Sequence, residues 1–219
     1  THEAPQALAA GLRAAAAPLP ARRRALRTLA WMVAAGTSGW LAWRHTPMRD
    51  QVLAWSADYR TRVGEIRHVA LADHSQLWLD TDSAADFAID GAQRSLTLRQ
   101  GAIVIETAPD SERPFVVWTP QGSMRALGTR FLVRRDSGQQ IHLAVFDGAV
   151  EIRLAATGER CVIPRGGQAD FQYDRIGPLS MADSAQATWQ SGMLTVDNMR
   201  LADFLAQLSR YRRGHLAAH

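Results

Sequence analysis

The stretch FVVWTPQGSMRALGTRFLVRR, residues 115–135, decides the fold class because its apolar residues recur with a period of two. That period is typical of a β-strand with one buried face. A turn is expected at 120–122. The corner that contains Gly128 is expected to reverse the chain so that Phe131 and Val133 join the core, with glycine supplying the backbone freedom. The stretch carries no reactive group, so we predict a structural role for it.

The same alternation begins at Tyr59 and continues through the middle of the chain. Turn residues separate the apolar runs at Asp73–Ser75 and at Gln100–Gly101, and Asp147–Gly148 predicts a hairpin with a type I′ turn. Two short strands flank Gly166–Gly167. About ten short strands at this spacing indicate a mainly β domain, built as a sandwich, a roll or a solenoid-like stack.

The pattern changes after Pro178. A short strand is predicted over Met193–Val196, followed by a helix that Asp197 or Asn198 would cap. The helix carries an apolar stripe with spacings of three and four residues. The stripe consists of Leu201, Phe204, Leu205 and Leu208. One strand and one helix cannot close a core, so this unit is expected to be an incomplete small α/β unit that packs on the β region, continues further or docks on a partner.

Composition excludes some function classes. The 219 residues have a formal net charge of +4, and every cationic side chain is arginine because the sequence contains no lysine. A nucleic-acid surface would concentrate that charge and interleave aromatic residues with it, so no nucleic-acid partner is predicted. The single cysteine, Cys161, is expected to be a small buried hydrophobic residue of a strand and leaves the redox compartment open.

Residues 28–43 contain no charged side chain and predict one transmembrane helix over residues 26–44. More arginines precede the segment than follow it, which predicts a cytoplasmic N-terminus and a periplasmic bulk in the inner membrane. The arginines that set this topology are Arg22, Arg23, Arg24 and Arg27. A buried core helix and a cleaved signal peptide, including a twin-arginine signal, are the alternatives.

No constellation of residues predicts chemistry. The densest carboxylate cluster consists of Asp73, Asp80, Asp82 and Asp86. A turn rich in aspartate is typical of a solvated loop. A glycosidase site, the alternative, would need two of these carboxylates held across a cleft. His74 and His142 are expected to face solvent. We therefore predict no catalytic, cofactor-binding or metal site, and no enzyme activity.

Four stretches, taken in order, resemble the FecR-type regulators, the iron(III) dicitrate sensors and their ferric-siderophore relatives. They are YRTRVGEIRHVALADHSQLWLDTDSAADFAI, RPFVVWTPQGSMRALGTRFLVR, LAVFDGAVEIR and ATWQSGMLTVDNMRLADFLAQLSRYRRG. The resemblance implies a single-pass inner-membrane protein that regulates an extracytoplasmic-function sigma factor, as an anti-sigma factor and sometimes also as its activator. The signal would come from the signalling domain of a TonB-dependent outer-membrane receptor loaded with a ferric chelate.

The resemblance also implies a domain order. It comprises a cytoplasmic remnant or linker at 1–25, the span at 26–44, a linker at 45–58, the all-β FecR-type domain at 59–177 and the start of an α/β domain at 178–219. Before residue 22 the sigma-binding domain of the family is not recognisable, which predicts a fragment or a truncated gene. Two residues depart from the family pattern: His74 replaces the usual glycine of a turn, which predicts another turn type, and Asp80 replaces the usual asparagine.

We expect the receptor-facing surface to include the apolar residues of the strand and helix, with packing on their own domain as the alternative. These residues are Leu194, Val196, Leu201, Phe204, Leu205 and Leu208. A different class of function, an envelope polysaccharide-binding or polysaccharide-active β domain, would need an aromatic groove, for which Trp78 and Trp118 are the candidates. A purely structural envelope protein is the third hypothesis.

Overall fold

A computed structural model describes residues 56–135, 139–195 and 199–212. Within them, thirteen strands form one curled, open sheet, which confirms the mainly β prediction. The strands are β1 (Tyr59–Arg60), β2 (Arg67–Ala70), β3 (Gln76–Leu79), β4 (Ala84–Ile89), β5 (Arg94–Glu106), β6 (Phe115–Thr119), β7 (Gly122–Ala126), β8 (Arg130–Arg135), β9 (Ile141–Asp147), β10 (Ala149–Leu154), β11 (Arg160–Pro164), β12 (Gly167–Phe171) and β13 (Ser180–Met181). A 3₁₀ helix (Ser184–Ser191) and helix α1 (Leu201–Ser209) follow.

The sheet consists of two halves that share β5. The first half-sheet contains β1, β4, β6, β7, β10 and β11, and the second contains β2, β3, β8, β9, β12 and β13. The beginning of β5 pairs with β4 and with β6, the latter in parallel. From Gly101 onward the same strand pairs with β3 and β8 in the second half-sheet.

The turn that we predicted at Gln100–Gly101 is therefore wrong. β5 is continuous, and Gly101, with φ of +82°, is the point at which it passes from one half-sheet to the other. An added Cβ would clash with the Ser83 side chain and lie 2.8 Å from the carbonyl oxygen of Asp82, so the position requires glycine.

Two further glycines also mark crossings between the half-sheets. Asp147–Gly148 was predicted to be a hairpin turn, but β9 pairs with β8 and β12 whereas β10 pairs with β7 and β11, so this prediction is wrong. At Gly128 the chain passes from β7 to β8 instead of reversing within one sheet. Its φ of +76° and the complete burial of Phe131 and Val133 are as expected.

Hairpins within one half-sheet join β2 to β3 and β6 to β7, as predicted. His74 has a φ of +66°, in the left-handed region that favours glycine, so the reason for predicting another turn type, that histidine avoids positive φ here, is wrong. The Leu71 carbonyl accepts a hydrogen bond from the His74 backbone, and the Ser75 backbone N–H donates to the Asp73 carboxylate, which holds the residue in that conformation.

The inner core lies between the two half-sheets and receives the inward side chains of both. Its largest fully buried side chains include Phe115, Phe131, Phe171, Met124 and the leucines and isoleucines of β3 and β5. Cys161 packs against this core, but it is half-buried and not buried as predicted. Removal of this apolar surface from water is the main source of the stability of the fold.

One ion pair is buried inside the body. Arg94 Nη1 lies 3.0 Å from Asp73 Oδ2, and both side chains are almost inaccessible to water. The guanidinium also donates to the carbonyl oxygens of Ala108 and Arg113, so it holds the long connection between β5 and β6. The prediction that the carboxylate cluster is a solvated loop is therefore wrong for Asp73, because Arg94 compensates its burial.

The 3₁₀ helix that follows β13 packs on the outer face of the second half-sheet. Trp189 and Ala187 of the 3₁₀ helix bury against Val104, Leu132 and Ala144, and we call these five residues the outer cluster. Met193 to Thr195 form no strand, contrary to prediction. The Thr195 backbone N–H donates to the Thr188 hydroxyl instead of a neighbouring strand.

No helix within the described ranges is long and apolar enough to cross a membrane. The predicted span at 26–44, the four topology arginines and the predicted caps Asp197 and Asn198 lie outside those ranges. Helix α1 begins at Leu201, after Arg200, and Arg200 supplies no side-chain hydrogen bond to the helix N-terminus.

Candidate partner-binding surface

Helix α1 carries the apolar stripe that the spacing of the sequence predicts, and the body does not bury it. Leu201 is 64% exposed. Phe204, Leu205 and Leu208 are half-buried, and no residue of the nine-residue helix is buried. The stripe is absent from both apolar clusters of the described residues. Leu201 is therefore exposed to a partner, and the other three stripe residues are only partly accessible.

A helix this short is marginal in water by itself, because its first turn is costly to form. Contacts at its C-terminal end attach α1 to the body. Arg210 Nη2 lies 3.2 Å from Asp80 Oδ2, and the Tyr211 hydroxyl donates to Asp80 Oδ1 at 2.5 Å. The Thr81 hydroxyl donates to the Arg210 carbonyl oxygen at 2.9 Å. We call Asp80, Thr81, Arg210 and Tyr211 the latch.

Asp80 is the buried member of the latch, with 1% of its side chain exposed. Burial raises the pKa of the Asp80 carboxyl, and the Tyr211 hydrogen bond and the Arg210 charge act in the opposite direction. Burial and the neighbouring carboxylate also raise the pKa of the Tyr211 hydroxyl. Asp80, which departs from the family pattern, is thus the residue to which the C-terminal segment is attached, and it is not a solvated turn residue.

Leu194 does not extend the stripe. It is half-buried and packs against the outer cluster. Val196 lies outside the described residues. Of the six apolar residues proposed as receptor-facing, the structure therefore places the four stripe residues together on α1 and turns Leu194 towards the body.

A histidine network also attaches the 3₁₀ helix. His142 Nδ1 lies 2.6 Å from Asp170 Oδ1, and its Nε2 lies 2.8 Å from Gln186 Oε1. Gln186 Nε2 in turn donates to Gln168 Oε1. The residue is buried, so the prediction of a solvent-facing His142 is wrong: the 3₁₀ helix covers the strand face on which the ring lies.

The residues proposed for polysaccharide binding do not come together. Trp78 lies on the second half-sheet, where its ring stacks on His68, whereas the 41% exposed Trp118 lies on the first half-sheet. Among the carboxylates, Asp86 pairs with Arg99, and Asp82 accepts a hydrogen bond from Gln100. These described residues therefore offer neither one aromatic groove nor two free carboxylates across a cleft.

Sequence reasoning missed the latch and the histidine network. The sequence contains two separate signals for the latch. The region with Arg210 and Tyr211 resembles the FecR-type regulators, and Asp80 departs from their usual asparagine. Nothing local in the sequence connects positions that are 131 residues apart. The buried Trp189 was likewise part of the resemblance, but no pattern indicated the surface on which it packs.

Comparison with protein families matches residues 57–151 to the family described as FecR protein. Two crystal structures of a candidate anti-sigma factor from Parabacteroides distasonis ATCC 8503, at 1.65 Å and 2.50 Å resolution, have a similar fold, with TM-scores of 0.61 and 0.60. Each is 19% identical in sequence, and the match covers 70% of this chain and 73% of that chain. A comparison with curated proteins found no match.

The matched residues run from just before β1 into β10 and so contain the crossings at Gly101, Gly128 and Gly148. The resemblance stated from the sequence is confirmed over this range. Residues 57–151 are therefore similar to the FecR family, and the mainly β fold is similar to that of a candidate anti-sigma factor.

Proposed function

We propose that the protein regulates an extracytoplasmic-function sigma factor from the inner membrane. The observation on which this proposal rests is the match of residues 57–151 to the FecR family. The likeness of the fold to a candidate anti-sigma factor supports the same class of function. The arginine-led apolar segment at 26–44 is the expected single membrane span, with the N-terminus in the cytoplasm and the FecR domain in the periplasm.

In this proposal the two sides of the membrane have different partners. The sigma factor binds the cytoplasmic side, and the signalling domain of a TonB-dependent outer-membrane receptor binds the periplasmic side. The stripe on α1 is the proposed receptor contact, because an apolar helix face that its own domain leaves accessible suits docking into a groove. The latch then joins the contacted helix to the body of the FecR domain.

Binding of the full chain to a receptor signalling domain tests the contact. Leu205→Asp places a charge in the middle of the stripe and is expected to weaken binding by about tenfold or more, as for a central interface residue. Ala206→Asp is the matched control, because it adds the same charge at the next, exposed position of α1. Equal affinities of a folded Leu205→Asp variant and the control would remove α1 from the interface.

A reporter fused after His219 tests the topology separately. An enzyme that is active only in the periplasm should report activity, and one that is active only in the cytoplasm should be silent. The four arginines Arg22, Arg23, Arg24 and Arg27 are expected to set this orientation. Cytoplasmic activity of the fusion would contradict the proposed membrane arrangement.

A further inference from the structure

A shallow cavity lies between the outer face of the second half-sheet and the 3₁₀ helix. Its volume is about 360 Å³, near the lower end of the range typical of ligand pockets. Trp78 forms one wall and Arg130 another, and the 3₁₀ helix supplies the remaining lining. The helix residues in the lining are Ser184, Ala187, Thr188, Gln190 and Ser191.

Arg130 in this cavity is a cation that no described acidic residue neutralises. Its Nη2 donates to Gln190 Oε1 at 2.7 Å, and its guanidinium lies over the Phe146 ring, 5.4 Å from the centroid. Glu106 and Asp147 stand opposite Arg130 on the neighbouring strands, but neither forms an ion pair with it within the described ranges. Asp147 instead approaches Arg165. The seven lining residues, all of them described, include no acidic side chain.

Gln190, a residue of the lining, has an unused donor. Gln190 Nε2 is buried and has no hydrogen-bond partner among the described residues, because Arg130 occupies only the oxygen of that amide. Buried donors without partners are rare in folded proteins and call for a specific explanation. That donor is itself closed to solvent, so the group in this lining that is suited to an anionic acceptor is the Arg130 guanidinium, beside which there is no acidic side chain.

We infer that this cavity binds a carboxylate presented by an acidic side chain of a polypeptide partner. The guanidinium of Arg130 would donate to the carboxylate oxygens, and the Trp78 ring would contact the apolar stem that carries the carboxylate. A free small molecule would stay largely exposed in so shallow a site, whereas a carboxylate on a protein surface brings further contacts with it. This inference does not depend on regulation of a sigma factor.

The test uses the full chain and two capped pentapeptides, Gly-Gly-Glu-Gly-Gly and Gly-Gly-Gln-Gly-Gly, with propionate as the free carboxylate. Dissociation constants come from NMR chemical-shift titrations that follow the Trp78 indole signal. The glutamate peptide should bind about tenfold or more tightly than the glutamine peptide, since only its contact is charge-assisted. Propionate should bind more weakly than the glutamate peptide.

Variants of Arg130 separate charge from geometry. Arg130→Gln should weaken glutamate-peptide binding by about tenfold or more, and Arg130→Lys, which keeps the charge but loses the planar fork, should give an intermediate loss. Arg153→Gln removes an exposed arginine from β10 on the first half-sheet and should change nothing.

Four results would overturn the inference. They are absence of glutamate-peptide binding, equal binding of the two peptides, no effect of Arg130→Gln, and an equal effect of Arg153→Gln, which would indicate general attraction of charge. Propionate binding as tightly as the glutamate peptide would overturn the assignment to a polypeptide partner. If Arg130→Gln does not fold, the affinity of Arg130→Lys for the glutamate peptide tests the role of Arg130. Unchanged affinity of a folded Arg130→Lys variant would contradict that role.

Discussion

The inner core and helix α1 are held in place by different physical means. Between the half-sheets, Phe131, Val133 and their neighbours are completely removed from water and pack against apolar side chains from both sides. In α1 no residue is buried, and the described contacts that secure it lie at Arg210 and Tyr211 and are mainly polar, although the Tyr211 ring also packs against the outer cluster. The body therefore depends on apolar burial, whereas the position of α1 depends mainly on a few hydrogen bonds and an ion pair among the described residues.

This difference assigns separate tasks to the two regions. A body stabilised by an extensive core keeps its shape when a partner binds. A helix that is attached at one end can present an apolar face that contributes less to the stability of its own domain than the inner core does. Mutations in the two regions should therefore have effects of different size and in different observables.

The largest effect is expected in the inner core. Phe131→Ala removes a fully buried ring from between the half-sheets and should lower the free energy of unfolding by about 3–5 kcal/mol. Val162→Ala in edge strand β11, where the side chain is 52% exposed, should cost less than about 1 kcal/mol. Urea unfolding of the full-length variants measures both values. Similar losses would show that the core does not dominate stability.

The second-largest loss of unfolding free energy is expected for substitutions at the crossings between the half-sheets. Gly128→Ala forces a side chain into positive φ and should cost about 1–2 kcal/mol, with open space around the new Cβ. Gly148→Ala carries the same strain and also clashes with the Gly128 carbonyl oxygen and approaches Thr129 Cγ2 to 2.7 Å. That overpacking should add about 1–3 kcal/mol. Equal unfolding free energies of the two variants would contradict the close approach of the two corners.

The latch should control α1 locally. Tyr211→Phe removes the hydroxyl that donates to Asp80 and should cost about 1 kcal/mol. Hydrogen exchange should become faster in α1 while the amides of β8 keep their protection. Tyr173→Phe, at a 49% exposed tyrosine, is the control and should leave both regions unchanged. Faster exchange throughout the sheet would instead make Tyr211 a part of the global core.

The latch should also depend on pH in a defined direction. The pKa of Asp80 is raised by folding, so the folded state holds this proton more tightly than the unfolded state does. The contribution of Asp80 to stability should therefore increase as the pH falls from neutrality through its raised pKa towards 3.8, the ordinary value.

The comparison with Asp80→Asn isolates this effect, because the asparagine does not titrate. The free energy of unfolding of the wild type, minus that of Asp80→Asn, should rise as the pH is lowered from about 7 to about 4. A difference that falls over this interval would show that the ion pair with Arg210 outweighs the burial of the carboxyl.

The smallest effect is expected in the stripe. Leu201→Asp places a charge at the most exposed stripe position, so the free energy of unfolding should change by less than about 0.5 kcal/mol. Thermal or urea unfolding of the full chain measures the change. A loss of several kcal/mol would mean that the body buries this face after all, and the distinction between the two regions would fail.

The strands could be predicted from the sequence because their signal is local. Alternation of apolar residues in 115–135 depends only on neighbouring positions, and the structure confirms the strands that it predicts. Their partners could not be predicted. A glycine with positive φ suits a hairpin turn and a crossing between half-sheets equally well, and only long-range pairing shows that Gly101 and Gly148 are crossings.

The burial of polar residues could not be predicted from local sequence patterns either. His142 is buried because the 3₁₀ helix lies over it, and Asp80 because Tyr211 and Arg210 reach it from the end of α1. The apolar stripe, in contrast, was predicted correctly as a helical face, since a periodicity of 3.6 is again a local property. Its exposure depends on what the body offers for packing, which the stripe itself does not encode.

Whether a stable FecR body presents α1 to a partner in order to control a sigma factor can be decided by a transcript measurement. Deletion of the gene should change a small set of transcripts whose promoters share one sigma factor. Wild type and Ala206→Asp should restore the original pattern, and Leu205→Asp, made at a normal level, should not. An unchanged transcriptome after deletion, or full restoration by Leu205→Asp, would contradict this role of the FecR body and α1.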